Sequence, residues 1–554
     1  MARLDRLGRA KEIAQLGATI GREFNYELLQ AVSPLHEDLL QQGLRQLVET
    51  ELVFQSGVPP HARYLFKHAL IQDTAYQSLL KSKRQHLHQQ VARILEGRFP
   101  DLQETQPELL AHHHTEASLI EQAIPYWQKA GQRAVQRSAN EEAIAHLSKG
   151  LELLKTLPDT PGRTQQELAL QIALGAPLVA TKGQAAQEVE RAYARAHELC
   201  RRVGEIPQLF PVVYGLWRFH LVRGKLLTAR ELGQQLLTLA QTTQDPIFLV
   251  GARCALGQTL FALGEVVLAR EHLEEGIALY DSRQRRSYST VADPGVVCLS
   301  FAAWVLWLLG YPDQALQRSH EALTLAQELS HPFSLAYALE FAAKLYHFRR
   351  EEQAVQERAE ALIALSTEQG FAVYLAQGTI RRGWALAEQG RVEEGIAQIR
   401  QGLAAYRATG AELWRPYGLA LLAEAYGKGG QVEEALTVLA EALALVDKTG
   451  ERLAEAELYR VKGQLTLQKS KVQGPKSKVQ EAEECFHKAI EIARKQQAKS
   501  LELRTTMSLS RLWRQQGKQK KAHEMLSEIY NWFTEGFDTK DLQEAKALLV
   551  ELSQ

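Results

Sequence analysis

Gly430-Gln431-Val432-Glu433-Glu434-Ala435-Leu436-Thr437-Val438-Leu439-Ala440-Glu441-Ala442-Leu443 reads as a chain reversal followed at once by a helix. Glycine accepts the left-handed backbone that ends one helix, and Leu436, Leu439 and Leu443 then return on one stripe behind Ala435. The same pair, a turn glycine and a small residue five positions later, recurs as Gly224/Ala229, Gly264/Ala269, Gly310/Ala315, Gly390/Gly395 and Gly517/Ala522. An Arg349-Arg350 turn stands where one glycine is missing. A second series of small residues, Gly257, Ala303, Gly383 and Ala423, sits seven positions before the turn, where two helices of one hairpin must approach closely. A period of 40 residues with small residues at fixed offsets predicts stacked helical hairpins, each unable to bury its apolar face alone.

Two intervals break the period. The longer step from Gly264 to Gly310 holds the polar stretch Ser282 to Pro294, which reads as a loop between hairpins. The step from Gly430 to Gly517 contains a duplication, Ser470-Lys471-Val472-Gln473 and Ser477-Lys478-Val479-Gln480 around Gly474-Pro475. Residues 469–480 therefore read as a surface loop insert. The whole is an all-α, tetratricopeptide-like α-solenoid of about 40-residue hairpins, with a small N-terminal α+β unit.

That N-terminal unit, residues 1–100, follows another pattern. Helical readings cover Leu4 to Leu16, Glu23 to Val32 and His36 to Glu49, and two β-type runs, Leu52 to Gln55 and Ala62 to Phe66, flank a Pro/Gly turn. Three helices followed by a hairpin is the layout of a winged helix. Residues 101–162 read as a helical connector, with helices from Glu121 to Arg137 and from Asn140 to Leu154, and 163–554 as the superhelix.

Composition narrows the function. Lys+Arg and Asp+Glu are equal at 65 each, so no global field steers the chain towards nucleic acid or an anionic membrane. Four cysteines, Cys200, Cys254, Cys298 and Cys485, lie far apart without a CxxC pair, as in a reducing cytoplasm. The most apolar run, Trp304 to Leu309, is too short to span a bilayer. No phosphate loop, nucleophile elbow or paired-carboxylate context occurs, so an enzyme is not expected.

Four segments together resemble a known family: Phe66-Lys67-His68-Ala69-Leu70-Ile71-Gln72-Asp73-Thr74-Ala75-Tyr76-Gln77-Ser78-Leu79-Leu80, Glu108-Leu109-Leu110-Ala111-His112-His113, Leu308-Leu309-Gly310-Tyr311-Pro312-Asp313-Gln314-Ala315 and Trp532-Phe533-Thr534-Glu535-Gly536-Phe537-Asp538-Thr539. They are similar to the C-terminal region of bacterial signalling proteins in which a class III adenylate/guanylate cyclase domain precedes a STAND-type AAA ATPase and a tetratricopeptide tail. The resemblance implies a chain that begins at the winged helix, just after the nucleotide-binding domain. It implies a non-catalytic sensor and autoinhibitory arm, with no cofactor held by this chain alone and ATP or ADP present only where a nucleotide-binding domain is supplied in cis or in trans. A stand-alone tetratricopeptide adaptor, a truncated gene product, or the effector-sensing part of a STAND-type transcription regulator are the alternatives.

Candidate residues follow. The resemblance implies that His68 reaches the β-phosphate of bound ADP; the plain alternative is a histidine that caps or packs under the following helix. Lys81, Lys83 and Arg84, with His86 and His88, form a small basic cluster too weak to make nucleic acid a favoured partner. His112, His113 and His114 are consecutive, so on a helix they point 100° apart and cannot share one metal ion. Trp217, Trp304, Trp384, Trp414, Arg381, Arg382 and Arg415 fall on or beside first helices of hairpins, which line the concave face of a solenoid and are the expected place for a protein or peptide effector. An apolar N-terminal unit that lacks its neighbour is expected to self-associate or to need a partner.

Overall fold

The computed structural model describes residues 7–203, 206–281, 292–473 and 476–554. They divide into two compact units, residues 1–177 and 178–554, so the first two of the three segments read from sequence fall within one unit.

The first unit opens with helices Arg9–Ile20, Tyr26–Val32 and Glu37–Glu49 and an antiparallel sheet in the order β1-β3-β2, with β1 Glu23–Asn25, β2 Val53–Ser56 and β3 Arg63–Phe66. One sequence reading is corrected here. Glu23 to Asn25 are strand rather than helix, because they pair with Leu65, Tyr64 and Arg63, and the helix waits for Asn25, whose side chain accepts the Leu28 N–H at 2.8 Å. Tyr64 and Phe66 alternate inward with Phe24 to close the core beneath the sheet. Helices Ala69–Gln77, Lys81–Arg98, Pro107–Glu116, Ile120–Gln136 and Asn140–Leu154 follow.

The second unit is a run of helical hairpins from Gln187–Val203 to the closing helix Lys540–Leu552. The predicted turns appear where expected: Gly224, Gly264, Gly310, Gly390, Gly430 and Gly517 all have positive φ, and Arg350 takes the same conformation without being glycine. Ala229, Ala269, Ala315, Ala435 and Ala522 are fully buried, as close packing of a hairpin requires.

The two helices of a hairpin differ in how much they bury. Every residue of the first-type helix Pro294–Leu309 is buried, whereas the second-type helix Glu352–Gln369 buries only Val355, Ala359, Leu362 and Ser366. First helices therefore form the inner wall and second helices the solvated outer wall. The 469–480 insert is corrected: helices Glu455–Gln473 and Lys476–Lys495 run through it, so the extra residues lengthen a hairpin, and only 474 and 475 lie outside the described residues. The loop expected from Ser282 to Pro294 also lies mostly outside them, save that Asp293 caps Pro294–Leu309 by accepting from Gly295 N and Val296 N.

The winding is tight. Hydrogen bonds join residues 187 to 193 positions apart, one full superhelical turn. Carbonyls in the last turn of first helices accept from the next superhelical turn: Val222 O from Glu412 N and Leu413 N at 2.9 and 3.0 Å, Ala262 O from Arg452 N at 2.9 Å, and Trp307 O from Ser500 Oγ at 2.5 Å. Gly264 sits in this seam, where a Cβ would stand 2.8 Å from the Gln496 amide and 3.0 Å from Arg452 Cβ, while Gly430 has the same conformation with nothing within 4 Å. Gly430→Ala is expected to cost about 1 kcal/mol from backbone strain, and Gly264→Ala about 2 kcal/mol or more, since it also pushes the turns apart. Paired urea titrations check the difference; equal costs would contradict a sealed seam.

Candidate functional site

Tight winding decides where the sequence-nominated residues go. Trp217, Trp304, Trp384, Trp414, Arg381 and Arg415 are all buried, and Arg382 is half-buried with its Nε on Gln398 Oε1 at 2.8 Å. They do lie on or beside inner-wall helices, but the wall closes on itself and these groups fill its axis instead of facing a groove. Trp217 donates to Thr259 Oγ1 at 2.9 Å. Arg415 pairs with Glu412 and Glu441.

At the axis stands Lys344, fully buried, 3.0 Å from Glu340 Oε1. Its ammonium lies 4.5 Å from the Phe341 ring centre, 4.8 Å from Trp304 and 5.3 Å from Trp414, an aromatic cage closed by cation–π attraction. Arg381 reaches the same Glu340 oxygen at 3.4 Å and stacks 4.7 Å over Tyr417. Burial lowers the Lys344 pKa to about 8, against the pull of Glu340, and burial raises that of Glu451 to about 8.

Beyond this plug the inner wall opens into a chamber of about 360 Å³. Six consecutive first-type helices contribute to it: Pro332–Phe348 with its following turn, Ala372–Glu388, Arg415–Lys428, Glu455–Gln473, Lys499–Gln515 and Lys540–Leu552. Of the residues chosen from sequence, only Trp384 lines it.

Its charges are sorted. In one group Arg460 holds two carboxylates, Glu424 at 3.2 Å and Glu457 at 2.5 Å. Burial raises the Glu424 pKa to about 7, against the pull of Arg460, whereas Glu457 is held below the usual range, its burial outweighed by Arg460. In a second group three guanidiniums share two carboxylates: Arg350 and Arg504 meet Asp541 at 3.3 and 2.6 Å, and Arg350 and Arg511 meet Glu544 at 2.7 and 2.9 Å. The cavity is also lined by Met507, Leu465 and Val461, and by the buried Trp384, whose indole N–H has no hydrogen-bond partner. His347 lines the same space with Nδ1 bonded to Tyr417 Oη at 2.5 Å, and burial keeps its pKa well below the ordinary value.

In the first unit, His68 is exposed at the start of Ala69–Gln77, and its side chain makes no cap bond. The plain alternative, a capping or packed histidine, does not describe it. Lys81 and Lys83 are exposed, but Arg84 lies 5.1 Å over Tyr76 and His88 is buried, so the basic cluster is smaller than the sequence suggests. The three histidines diverge as their spacing demands. His112 is exposed, His113 Nδ1 meets His88 Nδ1 at 2.8 Å, and His114 bonds Glu96 at 3.0 Å and stacks on Tyr126. Among the described residues no group of three or more His, Cys, Asp or Glu is placed to hold a metal ion.

A tetratricopeptide-repeat family model matches residues 250–275, 296–321 and 416–446, each spanning one turn between paired helices. The repeats are thus of tetratricopeptide type. An uncharacterized protein of Rhizobium meliloti (strain 1021) is 28% identical over 524 residues, covering 92% of this chain and 49% of that protein. The chain spans about half the length of the curated relative it matches. Among solved structures, Rap protein complexed with competence and sporulation factor aligns at 12% identity and TM-score 0.46, covering 73% of this chain and 99% of that one. A STAND protein with a tetratricopeptide repeat sensor from Pyrococcus horikoshii aligns at 11% identity and TM-score 0.36, covering 98% of this chain and 65% of that one. Among the described residues no helix is long and apolar enough to cross a membrane.

Proposed function

We propose that this chain is a non-catalytic regulatory scaffold, the sensor and autoinhibitory arm of a nucleotide-regulated signalling ATPase or cyclase. The observation that carries the reading is the chamber walled by six successive first helices. An effector held there touches elements spread along the superhelix, so occupancy favours one relative placement of the hairpins. The effect on a partner is limited to the effector's differential affinity for the two placements.

The first unit supplies the other end of the device. We read its helices and three-stranded sheet as a winged helix, in which the exposed His68 side chain, which makes no cap bond, would be available for a phosphate brought by a nucleotide-binding domain. Phe54 and Leu65, opposite one another on β2 and β3, are exposed on the outer face of the sheet, as are Val58, Leu70 and Leu80 elsewhere in the unit. A partner domain would cover such a surface, and without one the chain would self-associate. In this reading the chain holds no nucleotide by itself and works in the cytoplasm.

The test uses the remaining half of the Rhizobium meliloti relative, expressed separately and titrated calorimetrically with the purified chain in ADP and in ATP. Association whose affinity changes with the nucleotide, and falls on His68→Ala, is the expected result. Absence of association in both nucleotides, or nucleotide hydrolysis by the chain alone, would overturn the reading.

A further inference from the structure

The sorted charges of the chamber narrow the chemistry of its effector, an inference that rests on the sensor reading above. With their carboxylates ionised, Glu424, Arg460 and Glu457 together carry one negative charge in excess, while Arg350, Arg504 and Arg511 with Asp541 and Glu544 carry one positive charge in excess. The two groups stand on helices that line one partly open cavity. Glu457 and Arg460 are largely buried while Arg350, Arg511 and Glu544 are partly exposed at the cavity, and a ligand that completes both sets at once is favoured over one that completes either alone.

We propose that the chamber binds a zwitterionic, amino-acid-like ligand, its ammonium against Glu424 and Glu457, its carboxylate against Arg350 and Arg511, and an apolar side chain against Met507 and Leu465. The unpartnered Trp384 N–H, nine-tenths buried at the chamber wall, offers one further donor to the ligand's carbonyl or carboxylate oxygen. Size agrees. A chamber of about 360 Å³ lies at the small end of the range for small-molecule pockets, roughly 300 to 1,000 Å³, which suits a free amino acid or a dipeptide. Burial raises the Glu424 pKa to about 7, against the pull of Arg460, and an ammonium group beside it would favour the ionised form.

The full chain is titrated calorimetrically with each protein amino acid and with the dipeptides Leu-Leu and Leu-Phe, and the best binder is compared with its N-acetyl and methyl-ester forms. At least one zwitterion is expected to bind, with each capped form weaker by about tenfold or more, the loss of one charge-assisted contact. Tighter binding of the amino acid or of the dipeptide identifies which of the two sources the chamber serves. Glu424→Gln and Arg511→Gln, one from each group and each with its fold checked by circular dichroism, should both weaken binding, and Trp384→Phe should weaken it without altering the discrimination against capped forms. Binding of none of the zwitterions, or equal binding of the capped forms, would overturn the proposal. If nucleotide-dependent association with the partner half persists in either case, only the ligand class falls; if association fails while a zwitterion binds, the ligand class stands and the signalling role falls.

Discussion

Glu340→Gln is expected to be among the most destabilising single changes in the second unit, by about 3 to 5 kcal/mol, because it leaves Lys344 and Arg381 buried together without their shared carboxylate. Glu451 offers little relief, since burial raises its pKa to about 8 and keeps it largely neutral at pH 7. Lys344 can shed part of the cost by losing its proton, its pKa being lowered to about 8 by burial, but Arg381 cannot. Adding Lys344→Met, which fills the aromatic cage with a thioether of similar length, should recover part of the loss, because removing both members of a buried pair costs less than removing one. Chemical denaturation of the two variants checks this. A Glu340→Gln cost below about 1 kcal/mol would mean that the axis is wet and the plug is not sealed.

The first unit is expected to lose stability as pH falls below about 6.5. His88 shares one hydrogen bond between its Nδ1 and that of His113, and its Nε2 meets Tyr76 Oη at 2.9 Å. Only one of the two facing Nδ1 atoms can carry the proton between them, so a pair of imidazoliums would break the contact. Burial lowers the His88 pKa to about 4, with His112 and Arg84 adding to the effect, and burial likewise takes His113 well below the ordinary value, with His88 adding. A folded-state pKa below the unfolded one means that the unfolded chain binds more protons, so the stabilisation is complete above pH 6.5 and is lost as pH falls towards 4. The slope is about 1.4 kcal/mol per pH unit for each group in that window. Hydrogen-exchange protection of helices Lys81–Arg98 and Pro107–Glu116, followed between pH 7 and pH 5, should fall accordingly, and His88→Phe/His113→Phe should flatten the dependence. A wild-type unit whose protection is constant over that range would contradict the buried neutral pair.

Much of the architecture was legible in the sequence because close packing of two helices needs a small residue and a reversal needs a positive φ, both of which leave marks at fixed spacing. Gly264, Gly310 and Ala315 carry that information locally. The 100° steps that separate His112, His113 and His114 are equally local. The site was far less legible. Which face of a first helix meets solvent depends on the superhelical pitch, and the pitch comes from contacts such as Val222 O with Glu412 N, made between residues a whole turn apart and leaving no periodic trace. The places of Trp304 and Arg381 on first helices therefore point to a groove that the winding has closed. Arg460, Arg504 and Glu424, which line the chamber, were passed over because single charges at ordinary helical positions look like a solvated face. Glu23 to Asn25 escaped for a related reason: three residues of strand take their identity from the partner, here Arg63 to Leu65, and not from their own pattern.

Amide hydrogen exchange at the seam of the second unit tests its sealed winding directly. Glu412, Leu413 and Arg452 lie in turns between helices, yet their N–H groups donate to Val222 O and Ala262 O one superhelical turn away. The closed superhelix predicts that these three turn amides are protected as strongly as the helices they join. Exchange at the rate of ordinary surface loops, with the flanking helices still protected, would contradict it and leave the inner wall an open groove.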